Sequence, residues 1–113
     1  MQRSRILIVE DEVVIRTALS RFLSQQSYEV TEAGSVEEAL QHDLQDFALV
    51  ITDLRLPGPA GTDLISRAGD VPVLVMTSYA SLRSAVETMK LGAAEYIAKP
   101  FEYDDMLATI REL

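Results

Sequence analysis

The chain has no cysteine. That removes structural disulfides, thiolate zinc sites and cysteine nucleophiles. Basic residues are scarce, with ten Lys and Arg against eighteen Asp and Glu and a formal charge of −8. A domain that grips a phosphate backbone needs clustered Lys and Arg, so direct nucleic-acid binding is not expected. No apolar run approaches the ~20 residues that cross a bilayer, so no membrane association is expected either. The start, Met1-Gln2-Arg3-Ser4-Arg5, is basic. The apolar segment after it is too short for a signal peptide and is broken by Glu10-Asp11-Glu12. A cytoplasmic location follows as the default. The single histidine, His42, follows Leu40-Gln41 and reads as a solvated surface residue; nothing in the sequence suits zinc.

What is present is enough for one domain. At 113 residues and 48% apolar content, the chain can bury roughly two-thirds of its unfolded surface without staples. Strand and helix patterns alternate throughout. Strands are predicted over Arg5 to Glu10, Tyr28 to Glu32, Phe47 to Asp53, Val71 to Met76 and Ala94 to Ala98. Between them, Val14, Ala18, Leu19 and Phe22 recur at helical spacing over Glu12 to Gln25. Ser35 and Glu38 read as a capping box for a second helix whose buried face carries Val36, Leu40 and Leu44. Leu56-Pro57-Gly58-Pro59-Ala60-Gly61 is a turn-rich loop, and Thr62 to Ala68 a short third helix. Ser81 caps a fourth helix with an apolar stripe of Leu82, Val86 and Met89, ended by Leu91-Gly92. Tyr103 to Glu112 is a fifth helix carrying Met106, Leu107 and Ile110. Five βα units in sequence imply a parallel sheet covered by helices on both faces. The continuous apolar strands agree, because strands buried on both faces do not alternate. No repeat or linker interrupts the chain.

The polar residues that interrupt this pattern fall at strand ends. Glu10-Asp11, Asp53, Thr77 and Lys99-Pro100 each follow an apolar run, and the carboxyl ends of parallel strands are where ligands bind. Singly, each has an ordinary reading. Asp11 can cap the first helix, Asp53 and Thr77 can be turn residues, and Lys99 can be a solvated charge. Together they describe a cation and phosphate site. Carboxylates within ~4 Å repel by ~1 kcal/mol per pair in water and ~4 near a protein surface. A hard dication such as Mg²⁺, which favours one or two carboxylates, water and phosphate, removes that repulsion. Thr77 then supplies a hydroxyl donor and Lys99 a point charge for phosphoryl oxygens, with the Lys99–Pro100 bond a candidate cis peptide. Tyr96, inside the fifth strand, reads as a core residue whose hydroxyl needs a partner.

Over essentially its whole length the chain resembles the response-regulator receiver domains of two-component signalling. The residues that carry the resemblance are Ile6-Leu7-Ile8-Val9-Glu10-Asp11-Glu12, Asp53 with Leu56-Pro57-Gly58, Met76-Thr77-Ser78-Tyr79, and Ala98-Lys99-Pro100-Phe101. The stretch from Tyr79 through Met89-Lys90-Leu91-Gly92-Ala93 to Phe101 resembles receivers of the nitrogen-regulation, enhancer-binding type. The resemblance implies a doubly wound α/β fold, a flavodoxin-like (βα)5 receiver with strand order 2-1-3-4-5. It implies that residues 1–113 form a receiver at the N-terminal end of a longer regulator. Asp53 is then the phosphoacceptor, taking phosphoryl from a sensor histidine kinase or phosphotransfer protein. Mg²⁺ is held by Glu10, Asp11, Asp53 and the backbone carbonyl of Arg55. Thr77 and Lys99 bind the phosphoryl oxygens, and Thr77 and Tyr96 form the switch. On the same resemblance, the surface of helix 4, strand 5 and helix 5 controls the chain's own output domain, a transcriptional one, or forms a homodimer. The chain is then no enzyme beyond its own phosphorylation and dephosphorylation.

Against this family's usual pattern the third helix is short, Pro59 and Ala60 stiffen the loop after Asp53, and the first acid is Glu10 rather than Asp. Bulky Arg55 and Tyr79, two residues beyond Asp53 and Thr77, are expected to shield an acyl phosphate from water. Three rivals are weaker. A small Mg²⁺-dependent phosphohydrolase needs an insertion for a substrate cap, which is absent. A nucleotide-binding module needs GxGxxG or GxxxxGK[ST], and neither occurs. A receiver-like interaction domain that is never phosphorylated does not need the complete set of acids, hydroxyl and lysine.

Overall fold

The computed structural model describes residues 4–113; Met1 to Arg3 of the basic start lie outside the described residues. The strands are β1 (Arg5–Val9), β2 (Glu29–Ala33), β3 (Leu49–Asp53), β4 (Val73–Thr77) and β5 (Glu95–Ala98). The helices are α1 (Val13–Gln25), α2 (Val36–Ala39), α3 (Asp63–Arg67), α4 (Leu82–Lys90) and α5 (Tyr103–Arg111). All pairings are parallel and the order is β2-β1-β3-β4-β5, as expected. No helix among the described residues is long and apolar enough to cross a membrane.

The sheet separates two cores. Because side chains alternate along a strand, Leu7 and Val9 of β1 point to one face and Ile6 and Ile8 to the other. The first face joins Val50, Val73 and Val75 to Val36 and Ala39 of α2 and Leu64 and Ile65 of α3. The second joins Leu49, Ile51, Leu74 and Met76 to Leu19 and Leu23 of α1 and Met106 and Ile110 of α5. Each Leu or Ile buried this way contributes roughly 1.5–3 kcal/mol.

Helix ends follow the sequence. Ser35 Oγ accepts from Glu38 N and Ser81 Oγ from Ser84 N, satisfying donors that the first turn leaves unpaired. Gly92, at φ 106°, closes α4 in a backbone region that other residues avoid. One expectation is corrected, and in two further helices packing selects which residues are buried. The second helix stops after one turn at Ala39, where the amides of Gln41 and His42 turn to three-residue closures. Asp43 then caps a separate 3₁₀ turn, Leu44–Asp46. Leu44 is buried in that turn, while Leu40 is exposed. In α1 the buried residues are Leu19 and Leu23, and Val14 is 83% exposed. In α4 the stripe of Leu82, Val86 and Met89 is exposed, and the buried residue is Thr88 on the opposite side. Period-3.6 patterning reports that a helix has an apolar side; packing decides which side meets the sheet. His42 is exposed, edge-on to the Phe47 ring.

Candidate functional site

Strand register brings the chemistry together. Val9 pairs with Thr52, Asp53 with Met76 and Thr77 with Ala98. Glu10, Asp53, Thr77 and Lys99 therefore stand within a residue of one level at the carboxyl edge. Glu10 directly follows β1 and Asp53 ends β3, the adjacent strands where chain order reverses.

Lys99 is the centre of the site. Its Nζ donates to Glu10 Oε1 at 2.6 Å and to Asp53 Oδ2 at 2.9 Å, with only 5% of its side chain exposed. The Lys99–Pro100 peptide is cis, and Lys99 N donates to Thr77 O at 2.8 Å. Asp53 Oδ1 accepts from the Arg55 amide at 3.3 Å. Thr77 is fully buried, and its Oγ1 accepts from Tyr79 N at 3.0 Å, which leaves the hydroxyl proton for another acceptor. Tyr96 is half-buried, and its hydroxyl donates to Ser84 Oγ on α4 at 3.0 Å. The Arg55 guanidinium lies 4.5 Å over the Tyr79 ring, a cation–π contact between the loops after β3 and β4.

Asp11 is exposed and does not cap α1; the residue at the cap position is Glu12, whose side chain makes no capping bond. Glu10, Asp11 and Asp53 each bring a carboxylate oxygen within 4.8 Å of the others. An all-oxygen set of this span fits a hard dication and offers nothing to a soft one.

The charges are strongly interdependent. Burial raises the Glu10 carboxyl from 4.5 to about 7, helped by the Asp53 charge and opposed by the hydrogen bond and charge of Lys99. Burial alone would lower the Lys99 ammonium, but its bonds to Glu10 and Asp53 outweigh that and raise it. A carboxyl raised by folding favours the native state while protonated. The Glu10 contribution is fully present below pH 4.5 and is lost as pH rises through about 7. The metal-free domain is therefore expected to lose stability between pH 5 and 8, by at most about 3 kcal/mol. Urea unfolding in chelator should show the decline, and Glu10→Gln should flatten it. An equal decline in Glu10→Gln would assign it to another group.

One participant escaped the sequence reading. Arg16 Nη1 donates to the backbone oxygen of Glu10 at 2.8 Å, and its Nε to Glu32 Oε1 at 3.1 Å. Its only legible signal was a cation early in α1, against the helix dipole.

Known proteins share this fold and sequence pattern. The family model for the response regulator receiver domain matches residues 6–111. Response regulator protein FleR of Pseudomonas aeruginosa is 40% identical over 104 residues, covering 88% of this chain and 22% of FleR. The chain spans between 22% and 51% of the length of the first curated relatives it matches. Among solved structures, the non-phosphorylated HemR receiver domain from Leptospira biflexa superposes with a TM-score of 0.89 at 35% identity, covering 97% of this chain and 93% of that one. A response regulator protein from Burkholderia pseudomallei, solved with a phosphorylated aspartic acid, a calcium ion and citrate, gives 0.85 at 33% identity, covering 94% and 65%.

Proposed function

The chain belongs to the response regulator receiver domain family, and on that premise we propose that it is a signalling switch thrown by phosphorylation of Asp53. The observation that carries this reading is the Lys99 bridge, which holds a buried ammonium against the carboxylates of Glu10 and Asp53. The phosphorylated aspartic acid in the Burkholderia pseudomallei relative supports it.

In this reading an Asp53 carboxylate oxygen attacks the phosphorus of a phosphohistidine on a sensor histidine kinase or phosphotransfer protein. The new O–P bond forms as the P–N bond breaks, and the electron pair returns to the imidazole nitrogen, which then takes a proton. Glu10, Asp11, Asp53 and the Arg55 backbone carbonyl would hold Mg²⁺, which when bound supplies neutralisation of the phosphoryl charge. Lys99 keeps Asp53 oriented and then follows the phosphoryl oxygens. The Thr77 hydroxyl donates to one of them, and Tyr96 leaves Ser84 and turns inward. Moving such a switch from 1:99 to 99:1 takes about 5.5 kcal/mol of differential binding. The change is read on α4, β5 and α5, where Leu82, Val86 and Met89 are exposed. That surface meets an output domain, transcriptional and of the nitrogen-regulation type, or a second receiver. The domain acts in the cytoplasm as the N-terminal part of a longer regulator.

Incubation with Mg²⁺ and acetyl phosphate tests the proposal. Intact mass should show a phosphate adduct that requires Mg²⁺, and fragmentation should place it on Asp53. Absence of the adduct, or its appearance on another residue, overturns the reading. The stacked Arg55 and Tyr79 side chains are proposed to slow hydrolysis of the adduct. Arg55→Ala and Tyr79→Ala should each shorten its half-life several-fold, and wild-type rates in both would sink that role.

A further inference from the structure

We infer that Arg16 is a positioning residue that holds the Glu10–Asp11 acid pair in the orientation a divalent cation requires. The inference rests on the metal site proposed above. The Glu10 carbonyl oxygen, which Arg16 Nη1 engages at 2.8 Å, belongs to the peptide unit joining the two acids. A peptide is planar, so fixing its oxygen fixes the plane from which Asp11 departs. The Glu10 amide is held separately, by a 3.0 Å bond to Ala33 O on the β2 side. Asp11 has no side-chain hydrogen bond among the described residues and is exposed, so its direction depends on the backbone beneath it.

The guanidinium is itself held in place. Glu32 on β2 takes its Nε at 3.1 Å, and the Arg16 side chain is only 20% exposed. A Cβ built on Gly34 would stand 3.2 Å from Arg16 Nη1 and 3.0 Å from Glu38 Oε2, so the turn after β2 closes over the arginine. Arg16 thus links α1, β2 and the end of β1 at one point. A forked donor can satisfy a carbonyl and a carboxylate together, which an ammonium on a flexible stem does poorly.

Electrostatics and positioning predict opposite signs here. A guanidinium beside a cation site repels the cation, so if charge were its only influence Arg16→Ala would tighten Mg²⁺ binding and Arg16→Lys would leave it unchanged. Groups that orient metal ligands typically change affinity 10–100-fold when removed. Mg²⁺ titration of the unphosphorylated domain, followed by amide NMR shifts, separates the two. Positioning predicts affinity at least about tenfold weaker in Arg16→Ala and clearly weaker in Arg16→Lys. Arg16→Lys keeps the charge and the test if Arg16→Ala does not fold. Wild-type or tighter binding in either folded variant overturns the inference while leaving the switch intact. A wild-type domain whose shifts ignore Mg²⁺ overturns the metal site and this inference with it.

Discussion

An Asp53→Asn domain incubated with Mg²⁺ and acetyl phosphate is expected to gain no phosphate, under conditions that label the wild type fully. The substitution keeps the shape of the side chain and removes its negative charge. An amide oxygen shares its lone pairs with the adjacent nitrogen and has no charge to give, so it does not displace acetate from phosphorus. The fold should survive, because Lys99 retains its 2.6 Å bond to Glu10 and the amide oxygen still accepts from the Lys99 ammonium. Circular dichroism matching the wild type would establish that. Asp11→Ala provides the contrast. It removes a proposed cation ligand rather than the proposed nucleophile, so labelling should be slow and recover as Mg²⁺ is raised, whereas no Mg²⁺ concentration should restore Asp53→Asn. An adduct on Asp53→Asn would move the phosphoacceptor to Glu10 or Asp11.

Gly61→Ala is expected to be the most damaging small substitution in the domain. A Cβ at this position would lie 1.9 Å from the Asp53 backbone oxygen, 2.7 Å from Thr52 Oγ1 and 3.0 Å from the Asp53 carbonyl carbon. The first and last are main-chain atoms of a buried strand, so no rotamer change relieves the clash. The Gly61 amide also donates to Leu54 O at 3.2 Å, tying the loop to the end of β3. Making room requires lifting the loop from the strand that carries Asp53. Overpacking a rigid site costs typically 1–3 kcal/mol, and a contact of this kind belongs at or above the upper end. A loss of about 3 kcal/mol should lower the thermal midpoint by at least about 10 °C in a domain of this size. Gly58→Ala is the control. Gly58 has φ 78° and is exposed, so alanine meets backbone strain without a main-chain clash and should cost about 1 kcal/mol. Equal losses in the two variants would mean that the loop is not pressed onto β3.

Much of this was legible in the chain. The central strands β1, β3 and β4 read as nearly continuous apolar runs because both faces of the sheet are covered there, and the five βα units prescribe the crossovers. Glu10, Asp11, Asp53, Thr77 and Lys99 were visible because each interrupts an apolar run at its end. Capping by Ser35 and Ser81 was visible because it depends on residues three apart. The single turn of α2 was not, since no Gly or Pro marks the break after Leu40; the three-residue closures and Asp43 make it. The exposure of the α4 stripe was not legible for a related reason. Its apolar stripe is real, but Thr88 and the Ser84–Tyr96 hydrogen bond set the helix against the sheet. Arg16 was invisible because its partners are a backbone oxygen six residues earlier and a carboxylate on another strand.

The sequence by itself determined the layered α/β plan and which residues arrive at the carboxyl edge, because hydrophobic periodicity and strand-end position are local properties. Only the tertiary structure decided how those residues meet. Lys99 lies 89 residues from Glu10 and 46 from Asp53, and only strand order and register turn those separations into two hydrogen bonds. The same holds for the raised Glu10 carboxyl, whose first cause is burial, and for the obligatory glycine at 61. Burial and close approach belong to the packed molecule, and neither can be read from one residue and its neighbours.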